Sequence, residues 1–367
     1  MRRIQCARAG GLFGLLVGCM FVAAAARADV VTERPGSILI FPKVVNTGGR
    51  DTVIQIGNTG NMMDHARCFY VDGRPGPGGV PACGNIDFQI WLTKQQPTHW
   101  RVSTGRAMDA RDATGENKGL DPGLVPAVPD GFVGALVCAE TDSSDHPVGM
   151  NQLKGEATLE GPGLDISKYN AIAIQGSAAS NSGDNSLALN GTEYNRCPAD
   201  SLVNFIPDGA TDPVIEALGN RGRCVGGSNA NAPCNHGGQC QSLDCSTGLS
   251  RVISSLTVLP CNLDLLNGVP TRVTLSFAVS DELEVKTSGS LSFSCWASIP
   301  FSAVAALSSP TITTQFATAR ITSVFGGPVL AIADSLHIDS AANGADTAVN
   351  LHMEGVDSAT TTRILLP

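Results

Sequence analysis

The amino-acid sequence predicts an all-β protein, composed of two β-sandwich-like domains with a small disulfide-rich insert. Short segments in which apolar and polar residues alternate recur along the chain, and this period of two is typical of half-buried strands. Turn-forming residues separate these segments, since the 367 residues include 41 glycines and 21 prolines. Helical periodicity is scarce, and only Pro213–Leu218 is expected to form a short helical turn.

The first 28 residues have the composition of a secretory signal peptide. A basic start with Arg2 and Arg3 precedes an apolar run over residues 10–26, and Ala26-Arg27-Ala28 forms a small-residue cleavage signature. Cleavage before Asp29 is therefore expected, and the alternative is a membrane anchor at the short limit for a span. Cys19 ends a segment that resembles a lipobox, but the apolar run continues behind it, so lipidation is the less expected outcome.

Strand candidates follow one another through the remaining chain. In residues 29–197, expected to form the N-terminal domain, they are Ser37–Val45, Thr52–Gly57, Ile86–Leu92, Phe132–Glu140, Leu153–Glu160 and Tyr169–Gln175. In residues 198–367, expected to form the C-terminal domain, they are Arg251–Leu259, Arg272–Val279, Leu283–Lys286, Leu291–Ile299, Phe316–Val324, Val329–Ala333 and Ala348–Met353. A Gly-, Ser- and Asn-rich stretch before residue 198 indicates the boundary.

Ten cysteines follow the leader, an even number that in an exported chain indicates five disulfides. Their spacing suggests Cys68–Cys83 and Cys261–Cys295 as pairs, which leaves Cys138 with Cys197. The insert, CVGGSNANAPCNHGGQCQSLDC over residues 224–245, lacks the closely paired cysteines of zinc knuckles and redox motifs. A disulfide knot is thus favoured there over a metal or redox centre, with three pairings open for Cys224, Cys234, Cys240 and Cys245.

The segment TVIQIGNTGN resembles the early strand of Ig-like domains in bacterial surface proteins, where a hydrophobic strand runs into an N-x-G-N turn. Asn58, Gly60 and Asn61 match that turn. The resemblance implies an Ig-like sandwich fold and a secreted surface protein, and it names no activity.

Two groups of residues are candidate binding sites. In ETDSSDHP, Asp142 and Asp145 lie near Glu140 and could supply oxygen ligands for calcium, the alternative being a solvated acidic turn. In WLTKQQPTHWR, Trp91 and Trp100 could stack on sugar rings, the alternative being that both pack in the core.

Charge and motifs restrict the function. The chain has 24 Lys and Arg against 33 Asp and Glu, a net charge of −9, and this acidity argues against nucleic-acid binding. The serine-hydrolase elbow, the zinc-protease motif and a Gly-rich phosphate loop are absent. No apolar segment after the leader is long enough to span a membrane as a helix.

The sequence therefore predicts a secreted, non-catalytic structural or adhesion protein of the cell surface or extracellular space. Its expected partner is a second copy or another surface molecule, reached through an exposed edge of the Ser37–Val45 strand. The alternatives are a carbohydrate-binding module that uses Trp91 and Trp100, and a hydrolase with a site in the loop Gly105–Asp130.

Overall fold

The computed structural model describes most of the chain after the leader. The described residues are 30–79, 81–109, 119–162, 165–177, 184–210, 212, 222–224, 226–230, 232–234, 241–242, 245–246, 251–309, 311–338, 344–359 and 361–367. The signal peptide, Cys19 and the expected helical turn at Pro213–Leu218 lie outside this part of the chain. Among the described residues, no helix is long and apolar enough to cross a membrane.

The all-β prediction is confirmed, with 55% strand and 3% helix. The first ten strands are β1 Ile38–Asn46, β2 Asp51–Asn58, β3 Asp64–Asp72, β4 Asn85–Leu92, β5 Pro97–Arg101, β6 Phe132–Thr141, β7 Leu153–Glu160, β8 Ile166–Asn170, β9 Ile172–Ile174 and β10 Ser186–Ala188. Short 3-10 turns span Pro77–Gly79, Phe301–Ala303 and Ala305–Leu307.

The later strands begin beyond the boundary expected at residue 198. They are β11 Asp200–Phe205, β12 Gly222–Cys224, β13 Pro233–Cys234, β14 Cys245–Ser246, β15 Arg251–Pro260, β16 Leu263–Asp264, β17 Arg272–Asp281, β18 Lys286–Ser294, β19 Ala297–Pro300, β20 Ala317–Phe325, β21 Val329–Ile338, β22 Gly344–Asn350, β23 His352–Glu354 and β24 Arg363–Leu365.

These strands form facing sheets in each half of the chain. In the first half, the sheet β4-β3-β6-β1-β9 packs on β5-β2-β7-β8, and the core between them contains Phe41, Ile54, Tyr70 and Trp100. In the second half, β18-β17-β20-β11-β23 shares a core with β19-β15-β21-β22. The alternation read from the sequence agrees with this packing of one sheet face on another. In β2, Ile54 and Ile56 are buried, whereas Val53, Gln55 and Gly57 are half-buried.

A third core joins the two halves. Ile40, Phe69 and Val137, on the other face of the first sheet, pack with Leu259 and Leu330 of the second half. The sheet β10-β24-β16 closes over this core, because β24 pairs antiparallel with β10 and parallel with β16. Strand β8 also lies beside β22, where the Asn170 backbone and the Asn350 side chain exchange hydrogen bonds of 3.0 and 2.8 Å.

The finer prediction of two Ig-like sandwiches is not clearly reproduced. Apart from the small sheet β13-β12-β14 of the insert, the described chain forms five sheets, arranged in a ring that resembles a five-bladed β-propeller. The physical reason is the shared core, because apolar surface that a separate sandwich would leave in solvent is covered here by the other half.

Trp296 is the largest side chain that the second half contributes to the shared core. The residue is 5% exposed, and its Nε1 donates a hydrogen bond of 2.7 Å to the Pro42 carbonyl of β1. Gly73 permits this packing, since a Cβ there would lie 2.3 Å from Cε3 of the Trp296 ring. Lys43, the residue after Pro42, forms an ion pair of 2.8 Å with Asp334 of the second half.

We expect Trp296→Ala to lower the free energy of unfolding by about 3–5 kcal/mol, because it leaves a cavity and an unpaired Pro42 carbonyl. Trp91→Ala is the matched control, since Trp91 is 36% exposed and its loss should cost about 1 kcal/mol. Urea unfolding of the oxidised protein measures both. Equal losses for the two variants would contradict the role given to the shared core.

Candidate functional site

Trp91 and the acidic loop Asp142–His146, two separate sequence predictions, come together at one end of the first sheet. The Trp91 ring stacks on buried His65, with ring centroids 3.7 Å apart and planes inclined by 13°. His65 Nδ1 lies 2.8 Å from Thr141 Oγ1, 3.0 Å from the Asp142 carbonyl and 3.7 Å from Asp145 Oδ1. Cross-strand pairing of β3 with β4 and β6 places His65 between Trp91 and Thr141.

The two tryptophans do not form a shared platform. Trp100 belongs to β5 in the facing sheet, is 2% exposed, and donates a hydrogen bond of 2.6 Å from Nε1 to Tyr70 Oη. Trp91 belongs to β4 and keeps its exposed surface on the outside of the first sheet. The alternative considered from the sequence, packing in the core, therefore applies to Trp100 and not to Trp91.

Asp142 and Asp145 are exposed, and their oxygens already serve the turn. Asp142 Oδ1 accepts the backbone N–H groups of Ser144 and His146, which holds the pKa of Asp142 below its usual range. Asp145 accepts hydrogen bonds of 2.9 and 3.0 Å from Gln89 Nε2. Within the described residues, no three His, Cys, Asp or Glu side chains are grouped closely enough to hold a metal ion.

Behind this surface lies a buried carboxyl pair that the sequence reasoning missed. Glu140 is fully buried, and the backbone N–H groups of residues 150–153 donate to its two oxygens. Asp64, 2% exposed, lies beside it, and neither Asp64 oxygen has a hydrogen-bond donor in the described structure. The sequence contains one signal for the burial of Asp64. In β3, alternation places Asp64 on the same inward face as Ala66 and Cys68.

We expect the two carboxyl groups to share a proton. Burial, followed by the nearby charge of Glu140, raises the pKa of Asp64 to about 8. Burial also raises the pKa of Glu140, while its backbone donors lower it. The backbone donors favour the charged form of Glu140, whereas Asp64 has none, so we expect a protonated Asp64 to donate to Glu140.

Three disulfides lie in the described part of the chain, and the pairings expected from spacing are wrong. Cys68 pairs with Cys138, Cys83 with Cys295 and Cys197 with Cys261. The first joins neighbouring strands β3 and β6, where the two residues are in register. The other two disulfides connect the two halves of the chain. The order of strands in the sheets decides which cysteines meet, and the spacing of cysteines along the sequence does not reveal that order.

In the insert, Cys224 is also disulfide-bonded. The side chains of Cys234, Cys240 and Cys245 lie outside the described structure, so the pairing within the knot stays open.

A groove lies along β5 beside the loop in which a hydrolase site was considered. Two adjoining hollows of about 400 and 560 Å³ share Pro97, Thr98 and His99. One acid of this loop, Asp121, has a side chain that is only 1% exposed and is bound to Arg106 at 2.7 Å and to the backbone N–H of Gly123. These contacts lower the pKa of Asp121 and hold the loop in place. The carboxylate therefore has a structural role.

Another polar array joins β21 and β22. His337 Nδ1 lies 2.5 Å from buried Asp212 Oδ2, and His337 Nε2 lies 3.5 Å from Thr347 Oγ1. Carboxylate, imidazole and hydroxyl follow in the order of a hydrolase triad. However, the Thr347 hydroxyl also donates to the Ser335 carbonyl at 3.4 Å. This geometry favours a structural link over an activated nucleophile.

The most distinctive feature for interaction is the open edge of β18. Asp281 N–H donates to the Val285 carbonyl and Cys295 N–H donates to the Thr271 carbonyl, and the register between β17 and β18 has no irregularity. Odd-numbered residues of β18 therefore direct their backbone groups to β17, and even-numbered residues direct theirs away from the sheet. No described residue bonds to the outward groups of Lys286, Ser288, Ser290 and Ser292.

The edge expected from the sequence, that of the Ser37–Val45 strand, is not an edge. Strand β1 lies between β6 and β9, and β9 pairs with its first residues, Ile38–Ile40. The prediction that the Ser37–Val45 strand provides an exposed edge is therefore wrong. The period of two identifies strands but contains no information on which of them ends a sheet.

We expect Asp64→Asn to make stability less dependent on pH. The raised pKa means that, between about pH 4 and pH 8, folded Asp64 holds a proton that the unfolded chain has lost. The wild type therefore loses stability as pH rises through this range, and the asparagine variant should lose roughly 2–4 kcal/mol less. Thermal or urea unfolding at pH 5, 7 and 9 measures this difference.

Exposed Asp130→Asn serves as the control and should follow the wild-type profile. If Asp64→Asn has the same slope as the wild type, the carboxyl pair does not share a proton as described.

Comparisons with known proteins identify no family. No protein-family model and no curated protein matches the chain. Among solved structures, Thermotoga maritima 1070 is matched with a TM-score of 0.25 and 10% sequence identity, over 39% of this chain and 98% of that one. A similarity at this level supports no conclusion about fold or function.

Proposed function

We propose that this chain is an exported, non-catalytic structural or adhesion protein that binds its partner by strand addition at β18. The observation that carries the proposal is the row of outward N–H and C=O groups on Lys286, Ser288, Ser290 and Ser292. An incoming strand satisfies these groups by main-chain hydrogen bonds, a mode used by adhesive and assembling β-proteins.

The other edges of the described sheets support this assignment by contrast. The Trp91 N–H of strand β4 donates a hydrogen bond to the Pro122 carbonyl, and the strand carries the exposed charge of Asp87. Strand β5 begins with Pro97, and its last carbonyl, of Arg101, accepts the Gly105 N–H. Strands β8 and β22 lie against each other, β19 ends in Pro300, and β9 and β23 have three residues each. Natural sheets protect their edges in these ways.

Strand β18 has less of this protection. It has nine residues, no proline, no irregularity, and a single charge, Lys286, at its start. An edge of this kind promotes association between chains. An exposed edge of this kind is explained if association is the function.

Export and modular construction belong to the same proposal. Three disulfides between described residues are compatible with an oxidising compartment. We place residues 29–197 and 198–367 in two sandwich-like modules, each with its own core between facing sheets and with the Cys-rich insert 224–245 in the second. The shared core then orients the edge of β18 relative to the first module.

A glycan-binding role at Trp91 is the second candidate. One face of the Trp91 ring is held by His65, and Gln89 and Asp145 supply polar groups beside it. An aromatic ring flanked by an amide and a carboxylate suits the apolar face and hydroxyls of a sugar. On a glycan array, binding should be lost in Trp91→Ala and retained in Met108→Ala, which removes an exposed side chain of the loop. Equal binding by the two variants, or none by the wild type, rejects this role.

The primary proposal is tested with a labelled peptide that copies Lys286–Ser294, KTSGSLSFS. Fluorescence anisotropy should show saturable binding to the wild type and to Ser290→Thr, which keeps the backbone N–H. Ser290→Pro should abolish binding, because proline removes an outward donor without removing a bond to β17. Circular dichroism verifies that the variants are folded.

A control peptide with proline in place of its own Ser290 should not bind. Absence of binding by the wild type, or undiminished binding by Ser290→Pro, would reject strand addition at β18.

A further inference from the structure

The backbone of β18 is complementary to itself. When two copies are placed antiparallel about a two-fold axis at Ser290, Lys286 lies opposite Ser294, and Ser288 lies opposite Ser292 of the other copy. Each of these residues directs its backbone away from β17, so opposing groups face each other as donor and acceptor. The Ser294 carbonyl also accepts the Trp296 N–H at 2.7 Å, and its second lone pair is the one that faces Lys286 of the other copy. The register therefore joins two five-stranded sheets into one continuous sheet without leaving an outward group unpaired.

The two ends of β18 differ, with exposed apolar residues before the strand and a hollow after it. Leu283 and Val285, immediately before the strand, are 72% and 54% exposed. At the other end lies a hollow of about 330 Å³, lined by Phe293, Trp296 and Ala297 among others. Antiparallel pairing brings the exposed apolar residues of one copy to the hollow of the other, twice per dimer.

The ends are also complementary in charge. Glu284, in the turn before β18, and Arg272, which pairs with Ser294 at the far end, are both exposed. Neither forms an ion pair with a described residue. The same two-fold axis brings Glu284 of one copy to the end of the sheet where Arg272 of the other lies.

We propose that the strand added at β18 is the β18 of a second copy, in an isologous dimer centred on Ser290. The inference rests on the proposed function and deepens it by naming the partner. A two-fold interface uses the same surface of both copies. The backbone register, the apolar residues with the hollow, and the charges of β18 and its flanking residues together therefore describe the whole interface.

Charge reversal provides a specific test. Light scattering and sedimentation equilibrium of the oxidised protein, up to about 1 mM at low salt where charge effects are strongest, should show a monomer–dimer equilibrium. Glu284→Arg and Arg272→Glu should each weaken dimerisation at least about tenfold, because each places like charges together across the axis. The double variant should recover wild-type dimerisation.

Mixing the two single variants extends the test. In the mixed dimer, both contacts join opposite charges, so heterodimers should form where each variant alone stays largely monomeric. Lys94→Glu and Glu33→Arg, at exposed positions in the first half, are matched controls and should dimerise as the wild type does.

Two results would overturn the dimer. One is a wild type that remains monomeric at every concentration. The other is a dimer that neither single reversal weakens. If the monomeric protein still binds the β18 peptide, strand addition stands and the partner is a different chain. If it does not, the proposed function fails as well.

Discussion

Every backbone N–H and C=O group in a sheet needs a partner, and the architecture of this protein follows from that requirement. More than half of the chain is strand, so each sheet must end at an edge that is shortened, covered or paired. Proline, loop carbonyls and neighbouring strands close most edges of the described sheets. Among the described residues, the outward groups of β18 have no protein partner, and we propose that a second chain replaces water there.

Strand pairing and hydrogen bonds to the backbone also join the two halves of the chain. Strand β24 crosses from the end of the sequence to pair with β10, and Trp296 donates a hydrogen bond to the Pro42 carbonyl of β1. The disulfides Cys83–Cys295 and Cys197–Cys261 restrain the same contact. These links fix the direction of β18 relative to the first half, and such preorganisation would lower the entropic cost of the proposed dimer.

Local patterns predicted most strands but not their neighbours. Ile54 and Ile56 alternate with polar residues, and β2 has the expected buried face. The strand predicted over Leu291–Ile299 is divided between β18 and β19, because Cys295 has a φ of 63°. Cysteine pairing, the burial of Trp100 and the central position of β1 depend on sheet order, which arises from contacts distant in sequence. The contact of Asp64 with Glu140 is of this kind too.

Hydrogen exchange in β18 tests the central claim most directly. The amides of Ser288, Ser290 and Ser292 point away from β17, whereas those of Gly289, Leu291 and Phe293 point towards it and serve as internal references. In dilute protein, the first group should exchange rapidly and the second slowly. At high concentration, the first group should become protected as well. Rapid exchange of the serine amides at every concentration, in a protein that is associated, would place the interface elsewhere and contradict the account.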